Sequence, residues 1–224
     1  MKTFYSLLAA LIAVSGFGFG QGLATADVTI TEVSSSNSFG EDWFELTNFG
    51  DSTVDLNGFY WDDDGPTGND GALFGDFSLA AGESLIVLEG GSAGADPFRA
   101  LFGLDASFQV LTEDDFSGPD TFSGLSSSGD EISIFDTDPN APDADFTLID
   151  FVEFGAATEG VSFNIINGNP IQNVSGLNGA STATNGDVGS PGFATAVATA
   201  VPEPGSVAML TVLGVLAGLK RRRA

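Results

Sequence analysis

The chain has 224 residues, with 31 acidic and six basic side chains, no histidine and no cysteine. Without histidine it lacks Ser-His-Asp and Cys-His catalysis and the commonest zinc ligand; without cysteine it must fold on core packing alone. Thirty of the acids lie within residues 27–201 against one base, Arg99, a net of −29 for that stretch. Such a surface repels phosphate backbones and anionic membranes, argues against nucleic-acid binding, and attracts divalent cations and cationic partners.

In chain order, residues 1–26 read as a secretory signal peptide. Lys2 is followed by an apolar and small-residue stretch, and Ala24-Thr25-Ala26 is a small-residue cleavage site for signal peptidase, so the mature chain is expected to start at Asp27. Residues 27–193 then read as one β domain. Val28-Thr29-Ile30-Thr31-Glu32-Val33 has the period of a half-buried strand, and Trp43-Phe44-Glu45-Leu46-Thr47-Asn48 is a second, with Phe44 and Leu46 on one face and Glu45 and Thr47 on the other. Residues 54–61 predict a third strand with Gly58 as a bulge or close approach. Residues 83–89 predict a central strand, 97–104 one or two helical turns, and 108–111 a short strand. Residues 113–128 read as an acidic loop. Residues 129–136 and 146–155 predict a long hairpin, and 161–165 a last clear strand. With about seven to nine short strands and almost no helix signal, the fold class is all-β, a sandwich.

Three groups of side chains are candidates for chemistry. Asp136, Asp138, Asn140, Asp143 and Asp145 place oxygen ligands at alternate positions, as calcium loops do, and Asp62, Asp63, Asp64 and Asp70 form a second acidic loop; calcium is the expected ion if either is a site. The EF-hand pattern is broken by Ala141 and Thr147, and a solvated turn capped by Asp and Asn accounts for either loop equally. Asp114, Asp115 and Asp120 are a weaker third set. Glu32 and Glu45 on adjacent strands have the makings of an acid/base pair or of structural hydrogen-bonding carboxylates. Trp43, Tyr60 and Trp61 offer either a sugar-stacking platform or core packing.

Residues 194–201 are a Thr/Ala-rich tether to residues 202–224. There Pro202-Glu203-Pro204 precedes an apolar run over 205–219 and the cluster Lys220-Arg221-Arg222-Arg223. The run is 15 residues, short of the ~20 of a spanning helix, and the cations would stay on the cytoplasmic side. This order resembles the PEP-CTERM sorting signal of exopolysaccharide-producing bacteria. The resemblance implies an exported protein, held transiently in the inner membrane, cut near Pro202-Glu203-Pro204 by an exosortase and passed to the cell surface or extracellular matrix, with exopolysaccharide as a partner.

The body resembles the lamin-tail domain, an immunoglobulin-like sandwich. The matching pieces are Ile30, Glu32 and Val33; Trp43, Phe44, Glu45, Leu46 and Asn48; Val54-Asp55-Leu56 with Gly58-Phe59; Ala81-Gly82-Glu83; and Ser128-Gly129-Asp130-Glu131-Ile132. Asp150-Phe151-Val152, Phe154-Gly155, Gly160-Val161-Ser162 and Ser190-Pro191-Gly192 complete the set. The family fold carries no single activity. The expectation is a structural or adhesive protein rather than an enzyme, with a calcium-dependent carbohydrate- or matrix-binding module as the alternative.

Overall fold

A computed structural model describes residues 28–66, 71–118, 122, 124–137 and 147–194. In chain order the strands are β1 (Val28–Ser34), β2 (Trp43–Asn48), β3 (Val54–Asp55), β4 (Tyr60–Asp62), β5 (Ala72–Phe74), β6 (Ser78–Leu79) and β7 (Ser84–Leu88). The helix α1 (Ala95–Phe102) leads to β8 (Gln109–Thr112), β9 (Phe116–Ser117), β10 (Asp130–Phe135) and β11 (Leu148–Phe154). The last four are β12 (Phe163–Ile166), β13 (Asn169–Gln172), β14 (Ser181–Thr182) and β15 (Val188–Gly189).

Two sheets face each other. One has six strands in the order β13-β12-β1-β2-β7-β8, the other five in the order β11-β10-β4-β5-β9. Between them Val28, Ile30, Val33, Phe44, Leu46, Leu85 and Val87 meet Trp61, Phe74, Ile132, Ile134, Val152 and Phe154. The ring of Phe44 lies 5.1 Å from that of Trp61 across the gap. Burying these side chains stabilises at ~25 cal/mol per Å2 of apolar surface, which is how a domain of this size holds without disulfides. The fold is the expected all-β sandwich, with more strands than the sequence reading counted.

The six-stranded sheet is covered on its outer face as well. Ile86, Leu88, Trp43 and Val110 point away from the main core into a second cluster closed by Phe98. Hence β7 is buried along its whole length, and a strand buried on both faces reads as a continuous apolar run. The lid is α1, which holds the chain between β7 and β8, and these pair in parallel, Leu85 opposite Gln109 to Leu88 opposite Thr112. Parallel neighbours need such a crossover.

The strand reading needs three corrections. Residues 54–61 are two strands: Phe59 N–H donates to Leu56 O in a turn where Gly58 has φ 88°, so β3 and β4 join different sheets. Of the short strands, β9 lies in the stretch 113–128 that reads as an acidic loop and β5 in residues that give no strand signal, because Gly- and Asp-rich context masks strands of two or three residues. Third, β1 does not alternate strictly. Its register against β2 runs Val28–Asn48, Thr29–Thr47 and Ile30–Leu46, then Glu32–Glu45 and Val33–Phe44, so Thr31 is an extra residue. Without that bulge Glu32 would share the core face with Val28 and Ile30. With it Val33 returns to the core and Glu32 turns to the outer face.

A buried carboxylate pair as the candidate functional site

The bulge sets Glu32 and Glu45 opposite each other on the outer face of the six-stranded sheet. Like charges directly opposite on paired strands oppose one another, and both residues are 1 % exposed. Among the described residues neither has an ion pair; the one base there, Arg99, pairs with Asp96 at 2.9 Å and donates to Phe108 O. The pair is held by neutral donors instead. Glu32 Oε1 accepts from Ser162 Oγ, from Asn173 Nδ2 at 2.8 Å and from Ser190 N at 2.8 Å, and Glu32 Oε2 accepts from Ser190 Oγ at 2.9 Å. Glu45 Oε1 accepts from Gly192 N, and its Oε2 bonds to Thr31 Oγ1 at 2.6 Å. From Thr31 a hydroxyl chain runs to Thr47 at 2.9 Å and on to Ser84 at 2.7 Å, and in both links either oxygen can donate.

The roof over this pair is the chain from β15 to Phe193. Gly189 passes so close that a Cβ there would lie 3.1 Å from Glu32 Oε1, 3.2 Å from Phe102 Cε1 and 3.2 Å from Ser162 Oγ. Any larger residue would oblige those side chains to give by a few tenths of an ångström. Asp187, also buried, anchors the same segment at its other end by accepting from Ser38 N and from Asn185 Nδ2.

Burial pushes both carboxyls above the ordinary glutamate range. The donors from Ser162, Ser190 and Asn173 pull Glu32 part of the way back, whereas Glu45 is raised further by the charge of Glu32. Glu32 Oε1 faces the Ser190 N–H and the Asn173 amide, which only donate, whereas its Oε2 meets the Ser190 hydroxyl, which can donate or accept. Glu45 accepts from Thr31 Oγ1 and from Gly192 N, and these bonds offset part of its rise. Both carboxyls are sealed from solvent, and each is held by neutral donors rather than by the other. A glycosidase pair needs a cleft that admits a sugar between its carboxyls, and here the roof fills that space.

The pH dependence follows. A raised folded-state pKa contributes stability that is present below the unfolded value and is lost as pH rises through the folded one. Glu41, Glu131 and Asp150 are also raised, by burial first, and half-buried Asp42 is pushed to about 6 by burial against a restraining bond from Leu125 N, with Glu89, Glu41 and Asp130 adding to the rise. The melting temperature should therefore be highest near pH ~5 and fall toward pH ~9, scanned calorimetrically at constant ionic strength. Glu45→Gln, a neutral mimic of the protonated acid, should melt about 2–4 °C higher than the parent at pH ~8, the response of a domain this size to ~1 kcal/mol, and match it near pH ~4.5. A Gln variant that loses stability across the whole range would show that Glu45 is needed ionised.

The other sequence candidates land elsewhere. Asp62 is buried at the end of β4 and accepts Asp64 N at 2.7 Å. Asp136 closes the β10–β11 hairpin by accepting Thr147 N at 2.7 Å. Asp115 caps Thr112 N, and Asp114 accepts Ser92 N. Among the described residues no three acids come together as a metal-holding group. Asp70, Asp120, Asp138, Asn140, Asp143 and Asp145 lie outside the described residues, as do Ala24, Ala26, Pro202, Glu203, Pro204, Lys220, Arg221, Arg222 and Arg223. Of the two readings of Trp43, Tyr60 and Trp61, core packing holds, since each is 2 % exposed. Trp43 lies under α1, 5.4 Å from Phe98, and Trp61 packs in the main core, 4.9 Å from Phe122.

Two stacked sheets with an acid pair buried under a close-packed roof define a β-sandwich module. The chain belongs to the lamin tail domain family, whose model matches residues 21–156. No curated protein matches it. A crystal structure of a DUF4876 family protein from Bacteroides thetaiotaomicron is similar at 13% sequence identity and a TM-score of 0.41, over 78% of this chain and 73% of that one. The pieces that carried the resemblance in the sequence converge in space. Glu32, Glu45, Ser162, Ser190 and Gly192, from four separate stretches, are five members of the one network. Asn173 and Asp187 were missed, since single polar residues in turn-rich sequence give no periodic signal.

Proposed function

We propose that this is an exported bacterial protein of the cell surface or extracellular matrix, in which the lamin-tail sandwich is a structural or adhesive module and the two chain ends direct traffic. Signal peptidase releases the chain after Ala26, and an exosortase cuts near Pro202-Glu203-Pro204 while the apolar 205–219 run holds the chain transiently in the inner membrane, with Lys220, Arg221, Arg222 and Arg223 on the cytoplasmic side. The observation that carries this reading is the fixed order of the tail: a Pro-Glu-Pro, a short apolar run and a basic end. The family supports a module without a fixed activity, and the sealing of Glu32 and Glu45 supports a role without catalysis.

The test is fractionation with mass measurement of both chain ends, in a host with an exosortase and in one lacking it. The protein is expected in the matrix fraction beginning at Asp27 and ending near Pro204 in the first host, and in the membrane fraction with Arg223 retained in the second. Replacing Pro202, Glu203 and Pro204 by Ala should give the second pattern in both hosts. Normal processing of that variant overturns the proposal.

A further inference from the structure

A cleft of about 250 Å3 opens on the outer face of the six-stranded sheet, beside the carboxylate pair. Its floor is Thr47 and Ser84, both buried, and its flanks are Phe49 and Phe193, which are 36% and 52% exposed. The Phe193 ring is seated rather than loose. Gly179 lies so close beneath it that a Cβ there would be 1.8 Å from ring Cδ1, so one side of the ring rests on backbone while the remainder stays open. The preceding residue is pinned as well, since Gly192 N donates to Glu45. Among the described residues no charged side chain lines this cleft, whereas the larger one, about 460 Å3, is lined by Asp130, Glu131 and Glu153.

Exposed aromatic faces, a hydroxyl floor and the absence of charge, in a body with 30 acids, select a ligand that is apolar on its faces, hydroxylated at its edges and neutral. We propose that this cleft binds one neutral pyranose unit of a polysaccharide. Phe193 stacks on the C–H face of the ring, with Phe49 closing the other side. Thr47 and Ser84, whose hydroxyls are already engaged in the chain from Thr31 and Glu45, have acceptor lone pairs left for its hydroxyls. A uronate would meet the repulsion of the whole body. A purely apolar side chain would desolvate the floor hydroxyls and leave their remaining lone pairs unused. The volume is below the ~300–1,000 Å3 of pockets that enclose a drug-sized ligand, so it fits a single ring. At about −0.3 kcal/mol per heavy atom a single ring binds in the millimolar range, and adhesion then comes from many copies on one polymer. The proposal deepens the adhesive side of the proposed function. Its test uses purified protein, so it fails or stands separately from export.

The purified chain is titrated with neutral gluco-, galacto- and manno-oligosaccharides, with an oligogalacturonate for comparison, following backbone amides by NMR. At least one neutral series should shift the amides of Gly82, Ser84, Gly192 and Phe193 with a millimolar Kd. Phe193→Ala and Phe49→Ala should each weaken that binding about ten-fold, Phe193→Tyr should retain it, and Leu177→Ala, at an exposed position outside the cleft, should leave it unchanged. Melting curves confirm that each variant is folded. The proposal is overturned by any of three results: no neutral sugar moves those amides, both alanine variants bind as the parent does, or binding appears only after deletion of residues 195–224, which would make the chain's own continuation the occupant.

Discussion

Glu32→Ala should lower the melting temperature on the order of 10 °C and loosen the segment after β15. The substitution removes one acceptor group and strands four donors: Ser162 Oγ, Asn173 Nδ2, Ser190 N and Ser190 Oγ. The two hydroxyls can turn elsewhere. The Asn173 amide keeps only its bond to Ser162 Oγ at 2.9 Å, the Ser190 N–H keeps none, and a buried donor left without a partner costs ~1–3 kcal/mol. Removing the charge works in the opposite direction, since the carboxylate is itself expensive to bury and raises its neighbour Glu45. Lost acceptance outweighs that relief, because four donors converge on Glu32. A net loss of ~3–5 kcal/mol is a large share of the ~5–15 kcal/mol stability of a domain, and at ~2–4 °C per kcal/mol it gives the stated shift. Hydrogen exchange supplies the second readout: the Ser190 and Gly192 amides should lose protection before those of β2 and β7. Glu32→Gln keeps an acceptor on one oxygen and should cost less than half as much. An Ala variant melting within 2 °C of the parent would mean that water refills the site and that the roof is held by other contacts.

The sheet that holds this pair was largely legible in the sequence, and the pair's surroundings were not. The strands β2, β7 and β10 stand out because each is five or six residues long and carries β-branched or aromatic side chains at regular spacing. The bulge at Thr31 left one trace, a glutamate at the position where strict alternation from Val28 and Ile30 demands an apolar residue, followed by Val33. The donors to Glu32 come from residues 130 to 158 positions away, and sequence periodicity carries no information at that range. The aromatics read two ways for a similar reason. Trp43 is on the outer face of its strand, a position that reads as surface until α1 is known to cover it, whereas Phe49 and Phe193 sit in turns and read as nothing in particular. Their exposure is a property of where the turns are pinned, which here depends on Glu83 O accepting Asn48 N and on Glu45 holding Gly192.

Phe44→Asp should abolish cooperative folding. Phe44 is fully buried on the inner face of β2, with ring neighbours Trp61 at 5.1 Å and Phe122 at 6.3 Å. The large-to-small change alone costs ~3–5 kcal/mol. The carboxylate then enters the apolar layer between the sheets, where a buried charge without a partner costs several kcal/mol more. The two together match or exceed the whole stability of an ordinary domain. Glu45, the next residue, shows why the same charge is tolerated one position along: a one-residue step moves a side chain to the other face, where donors from Thr31 and Gly192 are waiting. The contrast is measurable. Phe44→Leu keeps most of the apolar volume and should retain a cooperative transition, lowered by several degrees. Phe44→Asp should show neither a cooperative melt nor dispersed amide resonances at pH ~7. A cooperative transition within a degree or two of the parent would place Phe44 on the outer face and invert the sheet.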